Sequence, residues 1–270
     1  MTAQHTSPLV TDTIIQVAHA CADAARTVIR PHFRTSLQAD AKSDDSPVTI
    51  ADRAAERAMR DILEQHLPDH GILGEEAGQS GHDGDWLWVL DPIDGTRAFL
   101  TGRPTFGILV SLFYQGRPVL GLIDQPITNE RWLGVEGRPT TFTAASIPGK
   151  AGTRACLALN QAELSCTSPE MLTPEHTPRF KALQAQTLRT SWGGDCYSYG
   201  LLALGQIDVI AECTMKPWDW GALVPIIQGA GGHISDWQGA PLRLESDGTV
   251  LACGNPALVP QLISVLSPTT

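Results

Sequence analysis

A chain of 270 residues with a formal charge of −10, 42% hydrophobic and 18% charged, has the length for one large or two smaller globular domains and too much apolar content for disorder. The acidic balance excludes nucleic acid and an anionic membrane as main partners, because both select basic surface, but it allows a small phosphorylated metabolite if a bound cation reverses the local charge. The six cysteines stand singly with no C-x-x-C pair, which disfavours a zinc knuckle or dithiol redox site. No apolar run reaches membrane-spanning length and the first residues lack a secretory pattern, so the expected location is cytoplasmic.

Ile14, Ile15, Ala18, Cys21, Ala22, Ala25, Val28 and Ile29 have helical spacing and predict an amphipathic scaffold helix ending near Pro31. The polar stretch from Ser36 to Pro47, with Lys42, Asp44 and Asp45, reads as a loop of solvated charges. A second helical pattern runs from Val48 to Leu67. It places Asp52 as an N-cap or first-turn acid, unless that carboxylate serves a metal or water site instead.

Gly71-Ile72-Leu73-Gly74-Glu75-Glu76 is a short apolar segment leading into two acids, one loop before Trp86-Leu87-Trp88-Val89-Leu90-Asp91-Pro92-Ile93-Asp94-Gly95-Thr96. Leu87 to Leu90 predicts a buried strand that Asp91-Pro92 should end, since proline offers no N–H to the ladder. Asp91 and Asp94 then lie at the strand's carboxyl end, Gly95 turns the chain, and Thr96 to Phe99 starts a helix whose free amides point back. Adjacent carboxylates repel unless a cation lies between them, and helix-end amides favour an anion, so a divalent metal such as Mg²⁺ with a phosphate is the simplest common solution. A polar turn after a buried strand is the alternative reading. Adjacent short strands would bring Glu75 beside Asp91.

Phe106 to Val135 predicts an antiparallel meander with a Gln115-Gly116 turn and a Gln125 to Asn129 link that could face the site. The Gly/Pro/Thr/Ser-rich stretch 137–152 is the expected boundary between an N-terminal α+β domain, 1–150, and a C-terminal α/β domain, 151–270. Strands are expected at Ala155 to Leu159, Thr187 to Arg189, Ile207 to Ala211, Gly232 to Ser235 and Val250 to Cys253. Helices are expected at Arg179 to Gln186, Asp195 to Leu204, Trp218 to Ala230 and Pro256 to Leu266. Asp195 and Asp219 each open a helix as a cap or, if they face the cleft, as functional acids.

Gly74-Glu75-Glu76, Asp91-Pro92-Ile93-Asp94-Gly95-Thr96 and Trp218-Asp219 leading to Ala230-Gly231-Gly232, in that order, resemble the inositol monophosphatase family over nearly the whole chain. The resemblance implies a layered α-β-α-β-α sandwich of the α+β class and a lithium-sensitive phosphatase using two or three Mg²⁺ ions. By the same matching, Glu75, Asp91, the Ile93 carbonyl, Asp94 and Asp219 would be metal ligands, Glu75 also counting with the catalytic set. The Gly95 and Thr96 amides would hold phosphate, and Asp52 with the Thr96 hydroxyl would polarise the attacking water. No covalent phosphoenzyme is expected, in contrast to a scheme with Asp91 as nucleophile.

The loop from Thr96 to Pro104 lacks the asparagine before phenylalanine of inositol-type members. With Gly121 to Pro126, Glu130-Arg131-Trp132, Trp192 to Tyr197 and Lys216 to Asp219, it looks like the histidinol-phosphate phosphatase branch. That substrate carries an ammonium and an imidazole, so Asp195 and Gln125 are candidate contacts, with Arg189 at a family-matched position and Asp219 beside them. Gly221 replaces a larger small residue and puts pocket shape in question. A homodimer is implied by the resemblance. The alternatives are an inositol or other small sugar phosphatase, and a non-catalytic metal-dependent phospholigand-binding protein.

Overall fold

The computed structural model describes residues 10–35 and 47–267; the predicted loop with Lys42, Asp44 and Asp45 lies outside them. Two helices, α1 (Asp12–Ile29) and α2 (Pro47–His66), form the first layer. They cover a seven-stranded sheet built from β1 (Gly71–Gly74), β2 (Gly78–Gly81), β3 (Trp86–Asp94), β4 (Gly107–Tyr114), β5 (Arg117–Gln125), β6 (Glu130–Val135) and β7 (Thr141–Ala144), in the order β2-β1-β3-β4-β5-β6-β7. The period-two alternation of strand side chains divides the meander between two cores. Trp88, Leu90, Ile108, Val110 and Leu122 face α1 and α2, while Val89, Leu109 and Ile123 face the next layer.

That next layer is α5 (Asp195–Ala203), α6 (Pro217–Trp220) and α7 (Leu223–Gly229). Its other side meets Ile210, Val250 and Ala252 of a second sheet, formed by β8 (Glu163–Cys166), β9 (Arg189–Trp192), β10 (Val209–Glu212), β11 (His233–Ser235) and β12 (Val250–Cys253) in the order β11-β12-β10-β8-β9. Phe180 and Leu183 of α4 (His176–Gln184) and Leu262 and Leu266 of α8 (Val259–Leu266) close the far face. The result is the α-β-α-β-α sandwich of the α+β class that the resemblance implied. All six cysteines are buried and unpaired. Among the described residues no helix is long and apolar enough to cross a membrane.

Several predicted elements are redrawn. Pro92 does not end β3: three steps on β3, from Asp91 to Asp94, oppose two on β4, from Leu109 to Gly107. This one-residue bulge absorbs the missing N–H and lets pairing resume at Asp94. The second helix begins at Pro47, so Asp52 stands beyond its first turn and is not the N-cap. Ala155 to Leu159 is no strand, because side chains hold it instead, with Asn255 Nδ2 donating to the Cys156 carbonyl at 2.7 Å. The strand is β8, where Glu163 and Ser165 break up the apolar run that would have announced it. The segment Trp218 to Ala230 is two helices broken at Gly221-Ala222, with Pro225 in the first turn of α7, where an N–H is not needed. A Cβ on Gly221 would come 2.7 Å from both the Phe113 ring and Ser111 Oγ. Gly221 is therefore a packing requirement against the first sheet.

The α1 layer is fixed to the sheet by Asp124, which is fully buried. It accepts from Arg26 Nε at 3.0 Å and from Arg131 Nε at 2.7 Å, so the buried carboxylate keeps strong cationic donors.

Candidate active site

Each sheet directs the carboxyl ends of a parallel strand pair toward one cavity of about 270 Å³. In the first sheet β1 pairs parallel with β3, Gly74 opposite Leu90, which sets Glu75 and Asp91 next to each other. In the second, β8 pairs parallel with β10, Ser165 opposite Ile210, and the following residues Thr167 and Glu212 line the same cavity. Strand carboxyl ends are where open sheets in α/β proteins commonly offer ligand sites.

Carboxylate oxygens of Asp91, Asp94 and Asp219 lie within 4.8 Å of one another. Burial, followed by repulsion from Asp94, Glu75, Asp219 and Asp52, holds the Asp91 carboxyl well above the usual range. Asp94 is raised the same way, by burial and then by Asp195 and Asp219. Asp219 is pushed up to about 7, burial again leading. A hard divalent cation is the partner that suits such a set.

Local structure explains each position. Asp91 Oδ1 accepts from the Ile93 amide at 3.0 Å, closing an Asx turn inside the bulge. Asp94 Oδ2 accepts from the Cys196 amide at the start of α5 at 2.6 Å, so a helix from the second half orients a carboxylate from the first. Asp219 Oδ2 accepts from the Lys216 amide at 2.7 Å; it caps α6 and lines the cavity at once. Burial leads in raising the Glu75 carboxyl above its usual range, and repulsion from Glu76 and Glu56 adds to it. The Glu75 turn is pinned from α2 by Glu56, which accepts from the Glu76 amide at 2.8 Å and the Ala77 amide at 3.1 Å and is itself bound by Arg60 Nε at 2.8 Å.

Asp52 reaches this turn from α2. Its side chain is buried, Oδ1 has no hydrogen-bond partner, and burial with repulsion from Glu76, Glu75 and Glu56 pushes its pKa up to about 8. An orphaned carboxylate oxygen beside an acid cluster fits a site that receives water and a cation. Asp52 does not itself line the cavity. Gly95 and Thr96 do, opening α3 (Thr96–Leu100) with Gly95 in the left-handed conformation at φ +88°; the Thr96 hydroxyl donates to the Ile93 carbonyl at 3.3 Å.

Asp195 also lines the cavity. Burial, then repulsion from Glu212, raises its pKa to about 6 against the opposing pull of Arg103 and Arg97. Two proposed substrate contacts are not in this place. Gln125 is fully buried, its Nε2 donating to the Phe106 carbonyl at 3.1 Å and its Oε1 accepting from the Ile127 and Thr128 amides at 2.6 and 2.7 Å. Its amide is spent on holding the β5–β6 link against the start of β4. Arg189 is exposed on β9 and ion-paired with Glu163, away from the cavity lining.

Glu212 is the lining acid that sequence reasoning missed. It is buried, accepts from the Thr167 amide at 2.6 Å and the Tyr199 hydroxyl at 2.9 Å, and burial raises its pKa despite those donors. An acid directly after the apolar run Val209 to Ala211 was the available signal. Glu56 and Arg60 were hidden for another reason, because an i,i+4 pair on a helix looks like a solvated face.

The described fold agrees with the relatives. A family model described as the inositol monophosphatase family matches residues 11–268. The bifunctional phosphatase IMPL2, chloroplastic, of Arabidopsis thaliana is 46% identical over 243 residues, 89% of this chain and 69% of that protein. A histidinol-phosphatase of Chlorobaculum parvum is 34% identical over 256 residues, 93% of this chain and 96% of that one. The solved structure of an inositol monophosphatase from Zymomonas mobilis is 47% identical, covers 97% of this chain and 100% of its own, and superposes with a TM-score of 0.89. The chain belongs to the inositol monophosphatase family.

Proposed function

We propose that this protein hydrolyses L-histidinol phosphate to L-histidinol and phosphate, the phosphatase step of histidine biosynthesis. The observation that carries the reading is the cavity lining. Beyond the acids grouped for a cation, it presents Asp195 and Glu212, and no Lys or Arg among the described residues. A leaving alcohol with an ammonium and an imidazole suits that lining better than a neutral polyol does. The histidinol-phosphatase relative supports the same choice.

Glu75, Asp91, the Ile93 carbonyl, Asp94 and Asp219 would hold Mg²⁺. Bound there, the cation supplies charge neutralisation for the phosphoryl oxygens and acidifies water. The amides of Gly95 and Thr96 seat the phosphoryl group. Asp52, with its unpartnered oxygen, and the Thr96 hydroxyl together polarise the attacking water. Water oxygen bonds to phosphorus as its proton passes to Asp52, the ester P–O bond breaks, and the departing alcohol oxygen takes a proton from a solvent water. Asp195 and Glu212 orient the cationic end.

Phosphate release is to be measured with histidinol phosphate, inositol monophosphates, fructose 1,6-bisphosphate and 3′-phosphoadenosine 5′-phosphate, each with Mg²⁺ and with chelator. Mg²⁺-dependent turnover highest on histidinol phosphate is expected. Turnover confined to inositol monophosphates would favour the second reading, to which the Zymomonas mobilis relative points. No release from any ester would favour a phospholigand-binding protein. The homodimer implied by the resemblance and the cytoplasmic residence expected from the sequence belong to this proposal and are read by sedimentation and by cell fractionation.

A further inference from the structure

Tyr199 lies one helical turn after Asp195 on α5, and both line the cavity. Residues four apart share a helix face, so one face of α5 presents a carboxylate and a phenol to the same space. The Tyr199 side chain is buried within the middle layer. Its hydroxyl donates to Glu212 Oε2 at 2.9 Å, while the Thr167 amide donates to Oε1 at 2.6 Å. Both oxygens of a buried carboxylate are therefore held from opposite elements, one from α5 and one from the end of β8. A carboxylate fixed in this way can accept a cation without first reorienting, and pre-organised acceptors discriminate more sharply than mobile ones.

We propose that Tyr199 is a positioning residue for specificity: by locking Glu212 it sets the enzyme's preference for phosphate esters whose leaving alcohol carries an ammonium group. This rests on the reading of the cavity as one for a cationic alcohol. It does not require that the alcohol be histidinol. Phenol and phenyl rings have nearly the same volume, so Tyr199→Phe keeps the packing and removes only the donor.

The test compares kcat and KM of wild type, Tyr199→Phe, Glu212→Gln and the double variant on histidinol phosphate, O-phosphoethanolamine and glycerol 2-phosphate, with Mg²⁺ present. In Tyr199→Phe the ratio of kcat/KM for the cationic esters to that for glycerol 2-phosphate should fall about tenfold, carried by KM, as expected for loss of a hydrogen bond to a charged group. The double variant should lose little more of that ratio than Glu212→Gln alone, because the phenol acts through the carboxylate. An unchanged ratio, or an equal loss on all three esters, would overturn the proposal, since a merely structural role affects every ester alike. Wild type that prefers O-phosphoethanolamine to glycerol 2-phosphate yet ignores histidinol phosphate would refute the histidinol assignment and leave the ratio to decide on Tyr199. Wild type with no preference for cationic esters overturns both.

Discussion

The Asp195 side chain rests against Gly95: a Cβ built on Gly95 would come 2.8 Å from Asp195 Cγ. Gly95 has φ +88° and begins the turn into α3, while Asp195 has φ +44° and begins α5. The Gly95 turn of the first half and the Asp195 carboxylate of the second thus meet at a position where any side chain would intrude.

Gly95→Ala should therefore fail twice. Alanine in the left-handed region costs roughly 1–2 kcal/mol, and its methyl displaces Asp195. Turnover should fall by about tenfold or more, since small misplacements at a reacting centre are amplified. Adding Asp195→Gly should restore part of the lost thermal stability by removing the obstructing side chain. If Gly95→Ala had wild-type kcat and Tm, the contact would have no functional weight.

Removing the metal should expose repulsion among the clustered acids. In EDTA at pH 7.5, Asp94→Asn should melt above wild type, because one of three carboxylates within 4.8 Å is neutralised and the asparagine oxygen can still accept from the Cys196 amide. A gain of about 1 kcal/mol corresponds to roughly 2–4 °C in a chain of this size. With Mg²⁺ the order should reverse. A lower Tm for Asp94→Asn in EDTA would show that hydrogen bonding to Cys196 outweighs repulsion.

His70 gives a pH dependence remote from chemistry. Trp88 Nε1 donates to His70 Nδ1 at 3.1 Å and the ring stacks on Trp86. Burial lowers the His70 pKa, with Asp69 opposing. The unfolded chain takes up this proton at about 6.5, while the folded one resists, so between those two pKa values the unfolded state binds more protons. Stability should thus decline as pH falls below about 6.5. His70→Gln keeps an acceptor for Trp88 without titrating, and its fall in Tm from pH 7.5 to pH 5 should be smaller than that of wild type. Equal acid sensitivity in both would remove His70 as a source.

Much of the site was legible because it is written in contiguous motifs. The Asp91 to Thr96 stretch joins a strand, two acids and a glycine turn, and its chemistry follows from local geometry and charge. Glu75 was legible from its spacing to that strand, and Asp219 from the family pattern around Trp218. The α5 start at Asp195 could be read from its two preceding glycines. Gln125 and Arg189 were misplaced because a link or strand end gives no sign of which way its side chains turn. Burial and backbone donors claimed the first, and Glu163 claimed the second.

What the sequence determined by itself was the periodicity of the first helices and the meander, the metal-suited acids and the family. These depend on neighbours along the chain, where spacing fixes the face. What only the tertiary structure decided was the meeting of Gly95 with Asp195, the bracing of Glu75 by Glu56 and Arg60, and the clamp of Thr167 and Tyr199 on Glu212. Each joins segments from separate strands or helices. Which carboxylate is orphaned and which is held depends on packing between layers, which no local pattern encodes.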